Sequence, residues 1–120
     1  MTILLVDDEE SIRRVGIALL EGIGHKVLTA GDGIEALEIM REHGHEIGCV
    51  ILDLTMPRLD GEATFRKLKA LHPNSRVILS SGYMEREATE RFSTLGLAGF
   101  LQKPYSLAEL RLKLSEALGG

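Results

Sequence analysis

Five short apolar runs punctuate this chain, and their spacing limits its fold more than any other feature. They are Ile3–Val6, Lys26–Ala30, Cys49–Leu52, Arg76–Leu79 and Gly99–Gln102, and they recur roughly every 23 to 27 residues. Each is too short for a helix, rich in Val, Ile and Leu, and bounded by Gly, Asp, Pro or Ser. The first and third are apolar almost throughout, as strands buried on both faces of a parallel sheet must be. Helical patterns fill the gaps. Ile12, Val15, Leu19 and Ile23 keep a three-to-four spacing, as do Leu107, Leu110, Leu114 and Leu118. Gly33–His43, Gly61–Leu71 and the strongly charged Glu85–Thr94 read as three more helices, with Gly44 and Pro73 where stops are wanted. Ser106 followed by Glu109 is a capping-box signal. The alternation predicts an α/β fold of (βα)5 type, with a parallel sheet and right-handed crossovers. Periodicity does not fix the strand order.

A chain of 120 residues, 44% of them hydrophobic, is expected to form one domain over residues 1–120 with one packed interior. Aromatics are 4% and Trp is absent, which removes the stacking platform that single-stranded nucleic acid needs. A net charge of −4 with basic residues scattered in pairs leaves no phosphate-backbone footprint, so direct nucleic-acid binding is not expected. The single Cys49 rules out an internal disulfide and reads as a buried, reduced thiol. No apolar run approaches the ~20 residues of a membrane span, and the N-terminus lacks a secretory h-region. The expected location is the cytoplasm, without membrane contact.

In open α/β sheets, ligands bind beyond the carboxyl ends of the strands. Asp7, Asp8, Glu9 and Glu10 follow the first run, and Asp53 follows the third. Ser80-Ser81-Gly82 follow the fourth, and Lys103-Pro104 the fifth. Three carboxylates, a hydroxyl and an ammonium, distant in sequence, therefore converge on one edge. Crowded carboxylates repel one another unless a cation neutralises them. Hard oxygen ligands suit Mg²⁺, which takes one or two protein carboxylates and keeps several waters. A cation, an ammonium, a hydroxyl and an apical carboxylate fit phosphoryl transfer with Asp53 attacking in line. Taken singly, each piece has an ordinary reading: an acidic first helical turn, a capping Asp, loop Ser and Lys. The conjunction at successive strand ends is what selects the chemistry. His43 and His45 lack partners in ligand spacing and read as a helix end and loop; His25 and His72 sit at helix-to-strand turns. Met40, Met56 and Met84 read as packing residues.

LLVDDEE, ILDLTMPRLDG, ILSSGY and GFLQKP, in this order and spacing, resemble the receiver domain of bacterial response regulators over about Ile3 to Leu118. The resemblance implies a five-stranded sheet in the order 2-1-3-4-5, a doubly wound flavodoxin-like three-layer sandwich. It implies that Asp53 is the phosphoacceptor, taking the group from a phosphohistidine of a histidine kinase or histidine phosphotransfer protein. Asp7, Asp8, Asp53 and the Thr55 backbone carbonyl would hold Mg²⁺, with Mn²⁺ able to substitute and Asp7 acting mostly through a water. Lys103 would contact phosphoryl oxygens, Ser81 would donate to one after modification, and the Thr55 and Gly82 amides would complete the cradle. The Lys103–Pro104 bond would be cis. Ser81 would move inward on phosphorylation and Phe100 would fill the space; core packing is the competing reading of Phe100. The output surface would be the last two helices and the fifth strand, including Glu85–Arg91 and Tyr105.

This chain departs from the commonest pattern by carrying Ser81 where Thr is more frequent, and the adjacent Ser80 blurs the alignment by one residue. Ser81 is the better match because Gly82 follows it. Thr55 and Tyr83 occupy positions that tune phosphoryl lifetime across the family. SSGY and GLAGFLQKPYSLAEL look most like receivers fused to hybrid sensor histidine kinases; a single-domain regulator and a piece of a longer regulator are the alternatives. Three other functions compete. A haloacid dehalogenase-type phosphatase wants D-x-D, which neither Asp53-Leu54-Thr55 nor Asp7-Asp8-Glu9 provides. A flavodoxin wants a hydroxyl- and Gly-rich phosphate loop after strand one, where four acids would instead repel phosphate. A never-phosphorylated scaffold would have no need of the acids, Ser81 and Lys103 together. The reading is a regulatory domain that catalyses its own phosphorylation and dephosphorylation, and not a turnover enzyme.

Overall fold

The computed structural model describes residues 2–53, 61–81, 98–102 and 105–117. Five strands alternate with helices: β1 (Thr2–Val6), α1 (Glu10–Gly22), β2 (Lys26–Ala30), α2 (Gly33–His43), β3 (Ile47–Asp53), α3 (Gly61–Leu71), β4 (Arg76–Ser81), β5 (Gly99–Gln102) and α4 (Leu107–Ala117). The predicted helix Glu85–Thr94 lies outside the described residues. All strand pairs are parallel, in the order β2-β1-β3-β4-β5. The doubly wound order implied by the resemblance is therefore observed.

Alternation along the strands sorts the core into two layers. Leu4, Val6, Val50, Leu52, Val77, Leu79 and Phe100 face one side, where Met40 of α2 and Phe65 and Leu68 of α3 cover them. Ile3, Leu5, Cys49, Ile51, Ile78 and Leu101 face the other, under Leu20 of α1 and Leu110 and Leu114 of α4. The central strands β1 and β3 are buried almost end to end, whereas the edge strand β2 is mostly half-buried. That contrast explains why the first and third runs read as fully apolar.

Local signals account for the helix boundaries. The Asp32 carboxylate accepts from the Glu35 amide at 2.9 Å and starts α2. At α4 the Glu109 amide donates to Ser106 Oγ at 3.2 Å. The reciprocal half of that capping box is a side-chain bond, from the Ser106 hydroxyl to Glu109 Oε1, rather than a bond back to the main chain. α1 stops at Gly22 and leads into Gly24 at φ 95, a left-handed conformation that favours glycine. Gly16 lets α1 approach β1, because a Cβ there would press on the Leu5 side chain.

Two strand ends run further than the apolar runs suggested. β3 continues through Asp53 and β4 through Ser81, with Asp53 paired to Ser80 in the ladder. Strand pairing uses main-chain groups, so a polar side chain at the end of an apolar run need not leave the sheet.

Candidate functional site

The carboxyl ends of β1 and β3 are neighbours because β1 and β3 pair through Val6 and Leu52. One step further along each strand stand Asp7 and Asp53, on the face shared with Leu5 and Ile51. Carboxylate oxygens of Asp7, Asp8 and Asp53 all lie within 4.8 Å of one another. Asp7 and Asp53 are only 2% and 4% exposed, whereas Asp8 reaches solvent.

The loop that carries the first two acids is held from three directions. The Asp7 amide donates to the Ala30 carbonyl at 3.1 Å, extending the β1–β2 ladder by one bond. Asp7 Oδ1 accepts from the Glu9 amide at 3.0 Å, and Arg13 Nη1 donates to the Asp7 carbonyl at 2.6 Å. The Arg13 contact has no signal in the sequence, where Arg13 is one of the scattered, paired basic residues. Arginine has no periodic signature that separates a loop clamp from a solvated side chain.

Burying two carboxylates side by side is costly. At an effective dielectric near 20, two charges about 4.8 Å apart repel by roughly 3 kcal/mol, before any loss of hydration is counted. A hard divalent cation bound by oxygen removes both penalties. Three convergent carboxylates, two of them buried and one open to water, form a donor set that fits Mg²⁺, which retains part of its own hydration.

The other expected site residues divide into three groups. Ser81 is the last residue of β4, level with Gln102 of β5. Phe100 is 3% exposed in the layer under α2 and α3, beside Leu79 of β4. Thr55, Gly82, Tyr83, Lys103 and Pro104, including the expected cis bond, lie outside the described residues, as do Met56 and Met84. His43 and His45 flank Glu46, at 3.5 and 3.7 Å, on the turn that leaves α2. His72 Nε2 sits 3.0 Å from the Met40 carbonyl, joining the end of α3 to α2. Met40 is buried core, as expected. Among the described residues no helix is long and apolar enough to cross a membrane. A cavity of about 310 Å³ opens at the opposite end of the strands, near His72 and Arg76; no carboxylate lines it, so it is separate from the acidic site.

A five-stranded parallel sheet wound in this order, with buried acids at the carboxyl ends of its first and third strands, defines a receiver-type signalling module. The family model for the response regulator receiver domain matches residues 3–115, and the chain belongs to that family. It is therefore a receiver domain of two-component signalling systems. It is 40% identical over 117 residues to the sensor kinase CckA of Brucella abortus (strain 2308), covering 98% of this chain and 12% of that protein. Among solved structures it is similar to a response regulator receiver domain protein from Clostridium thermocellum, with TM-score 0.91 and 32% identity, covering 98% of this chain and 94% of that one. It is also similar to a chain of the CheX-CheY-BeF3-Mg+2 complex from Borrelia burgdorferi, with TM-score 0.92 and 27% identity over 96% of this chain and 87% of that one. The chain thus spans about an eighth of the CckA kinase, and between 26% and 47% of several matching transcriptional regulators.

Proposed function

We propose that Asp53 accepts a phosphoryl group from a phosphohistidine, on a histidine kinase or a histidine phosphotransfer protein, and that this modification switches the domain. The observation that carries the reading is the buried Asp53 carboxylate, at the end of β3 and within 4.8 Å of Asp7 and Asp8. In the transfer, an Asp53 oxygen forms a bond to phosphorus as the phosphorus–nitrogen bond breaks, and the electron pair leaves on the imidazole. Asp7, Asp8, Asp53 and the Thr55 carbonyl are the groups that would hold Mg²⁺, or Mn²⁺ in its place. Bound there, the cation would neutralise the acids and draw charge from the phosphoryl oxygens. The Arg13 and Glu9 contacts fix the Asp7 loop, so that the acids are arranged before any donor arrives.

The family's residue roles extend this reading. Lys103 would contact phosphoryl oxygens, the Thr55 and Gly82 amides would cradle them, and Ser81 would donate a hydrogen bond. Phe100 would respond through the core, reaching an output surface made by the segment 85–94, β5 and α4. One 120-residue domain in the cytoplasm suits these roles, as part of a hybrid sensor histidine kinase or as a single-domain regulator. The similarity to a sensor kinase supports the first setting. The receiver-like chain in a complex with BeF3 and Mg supports the acceptor and metal assignments.

The test is intact mass after incubation with Mg²⁺ and acetyl phosphate. The expected result is a gain of one phosphoryl group that needs the divalent ion and is lost in Asp53→Asn. A gain of the same size in Asp53→Asn would overturn the assignment.

A further inference from the structure

Where α2 turns into β3 the chain reads Glu42-His43-Gly44-His45-Glu46, and the fold draws these side chains into one exposed cluster. Two main-chain bonds close the turn: the Glu46 amide donates to the His43 carbonyl at 2.8 Å, and the Ile47 amide to the Gly44 carbonyl at 3.3 Å. Gly44 faces inward, where a Cβ would press on His72 and the Met40 carbonyl, and its two neighbours are turned out to solvent. The closure sets the Glu46 carboxylate between the imidazoles, with Oε2 3.5 Å from His43 Nδ1 and Oε1 3.7 Å from His45 Nε2. On its far side the His43 ring turns Nε2 toward Glu42 Oε2, at 3.9 Å. Sequence spacing alone offers these histidines no carboxylate partner; the turn supplies one.

None of these separations is a hydrogen bond, for which N···O is about 2.7–3.2 Å, and exposed ion pairs of this kind contribute little to stability. They do match a coordination sphere. Ligand atoms about 2.1 Å from a tetrahedral Zn²⁺ lie about 3.4 Å from one another, close to the 3.5 Å between His43 Nδ1 and Glu46 Oε2. We infer that His43, His45 and Glu46 form a second metal site, for a borderline divalent cation such as Zn²⁺, with water in the fourth position. The oxygens of Asp7, Asp8 and Asp53 already stand within 4.8 Å of one another. This second set closes when the His45 side chain, 77% exposed, swings its Nε2 inward. Glu42 acts as an outer carboxylate that keeps the His43 proton on Nε2, which leaves the Nδ1 lone pair for the cation. Imidazole donors favour Zn²⁺, Cu²⁺ and Ni²⁺, whereas the acids at the other end of β3 favour Mg²⁺. The two sites therefore select different ions, and the second does not depend on the chemistry of Asp53. A bound ion ties the end of α2 to the start of β3.

The test is a ZnCl₂ titration of the whole chain in excess Mg²⁺, which keeps the acidic site occupied, followed by calorimetry and by the imidazole nitrogen resonances. The other two of the four histidines are internal controls. His25 leads into β2, two strands away from β3, and Nε2 of His72 is committed to the Met40 carbonyl. The expected result is one equivalent of zinc, with Nδ1 of His43 and Nε2 of His45 shifting together while the nitrogens of His25 and His72 stay. His43→Gln, His45→Gln and Glu46→Gln are each expected to weaken zinc binding by about tenfold or more, and Glu42→Gln by about tenfold. All of these positions are exposed, so the metal-free variants are expected to melt with the wild type. Undiminished zinc binding when His43→Gln and His45→Gln are combined, zinc shifts at His25 or His72 instead, or no uptake at all would overturn the site. Uptake lost in Asp8→Asn would also overturn it, by placing the ion among the acids. So would uptake that pairs two copies in sedimentation, since the ligands would then come from two turns.

Discussion

Arg13, one turn into α1, reaches back to donate from Nη1 to the main-chain carbonyl of Asp7 at 2.6 Å. The bond ties the first helix to the loop that delivers two acids to the site. Its direction matters: the guanidinium is committed to the carbonyl oxygen, so it fixes the backbone beneath the carboxylate. Arg13→Ala is expected to destabilise the domain by about 1–2 kcal/mol in chemical denaturation, the range for a hydrogen bond from a charged donor. Arg13→Gln keeps a donor at reduced reach and is expected to lose less than half of that. Equal losses in both variants would show that the stem of the side chain, and not its donor, carries the effect.

The acid cluster makes stability depend on divalent cations. Thermal melting should shift upward with Mg²⁺, by the equivalent of about 2.7 kcal/mol at a concentration one hundred times the dissociation constant. Asp8→Asn removes a charge from the exposed corner of the cluster. It is expected to weaken Mg²⁺ binding tenfold or more while leaving the metal-free protein at least as stable, since a like charge is removed. Melts with MgCl₂, MnCl₂ and KCl at matched ionic strength separate site binding from screening.

Cys49 gives an alkaline signature. Burial in the layer beneath α1 and α4 pushes its thiol from 9.0 up to about 12, against a smaller opposing pull from Arg76. The folded state keeps its proton where the unfolded chain has lost it. The resulting stability is fully present below pH 9 and is lost as pH rises toward about 12, by about 1.4 kcal/mol per unit. Denaturation midpoints from pH 8 to 11 should fall, and Cys49→Ser or Cys49→Ala should flatten that slope. Thiol reagents at neutral pH should label Cys49 no faster than the protein unfolds.

Gly16 tests how closely α1 sits on the sheet. A methyl group there meets the buried Leu5 side chain. Overpacking costs about 1–3 kcal/mol, against a gain of about 1 kcal/mol from replacing a helical glycine. Gly16→Ala should therefore be neutral to about 2 kcal/mol destabilising, and Gly16→Val worse. A clear stabilisation by Gly16→Ala would mean that the helix has room to move.

The parallel architecture was legible because burial on both faces writes itself into β1 and β3 as unbroken apolar runs. The edge strand β2, with Lys26 and Thr29, was found only through its spacing. Asp7, Asp8 and Asp53 were legible as a group because winding sends successive strand ends to one edge. The strand order was not, since periodicity says which face a residue takes and nothing about which strand lies beside it. Ser80 and Arg13 escaped for a related reason. In the sequence a hydroxyl ends the apolar run and places Ser80 in a loop, yet main-chain pairing with β3 carries it into the sheet. The hold of Arg13 on Asp7 is a single side-chain bond across a turn, and its residue type alone suggests a solvated charge.

The most direct test of the central claim is to locate the modified residue. Domain charged with acetyl phosphate and Mg²⁺ is treated with borohydride, which reduces an aspartyl phosphate to homoserine, and peptides are sequenced by mass spectrometry. The account predicts homoserine at position 53, dependent on Mg²⁺ and absent without the donor. Homoserine at position 7, 8 or 60 in place of 53, or at no aspartate under conditions where intact mass shows phosphorylation, would contradict it.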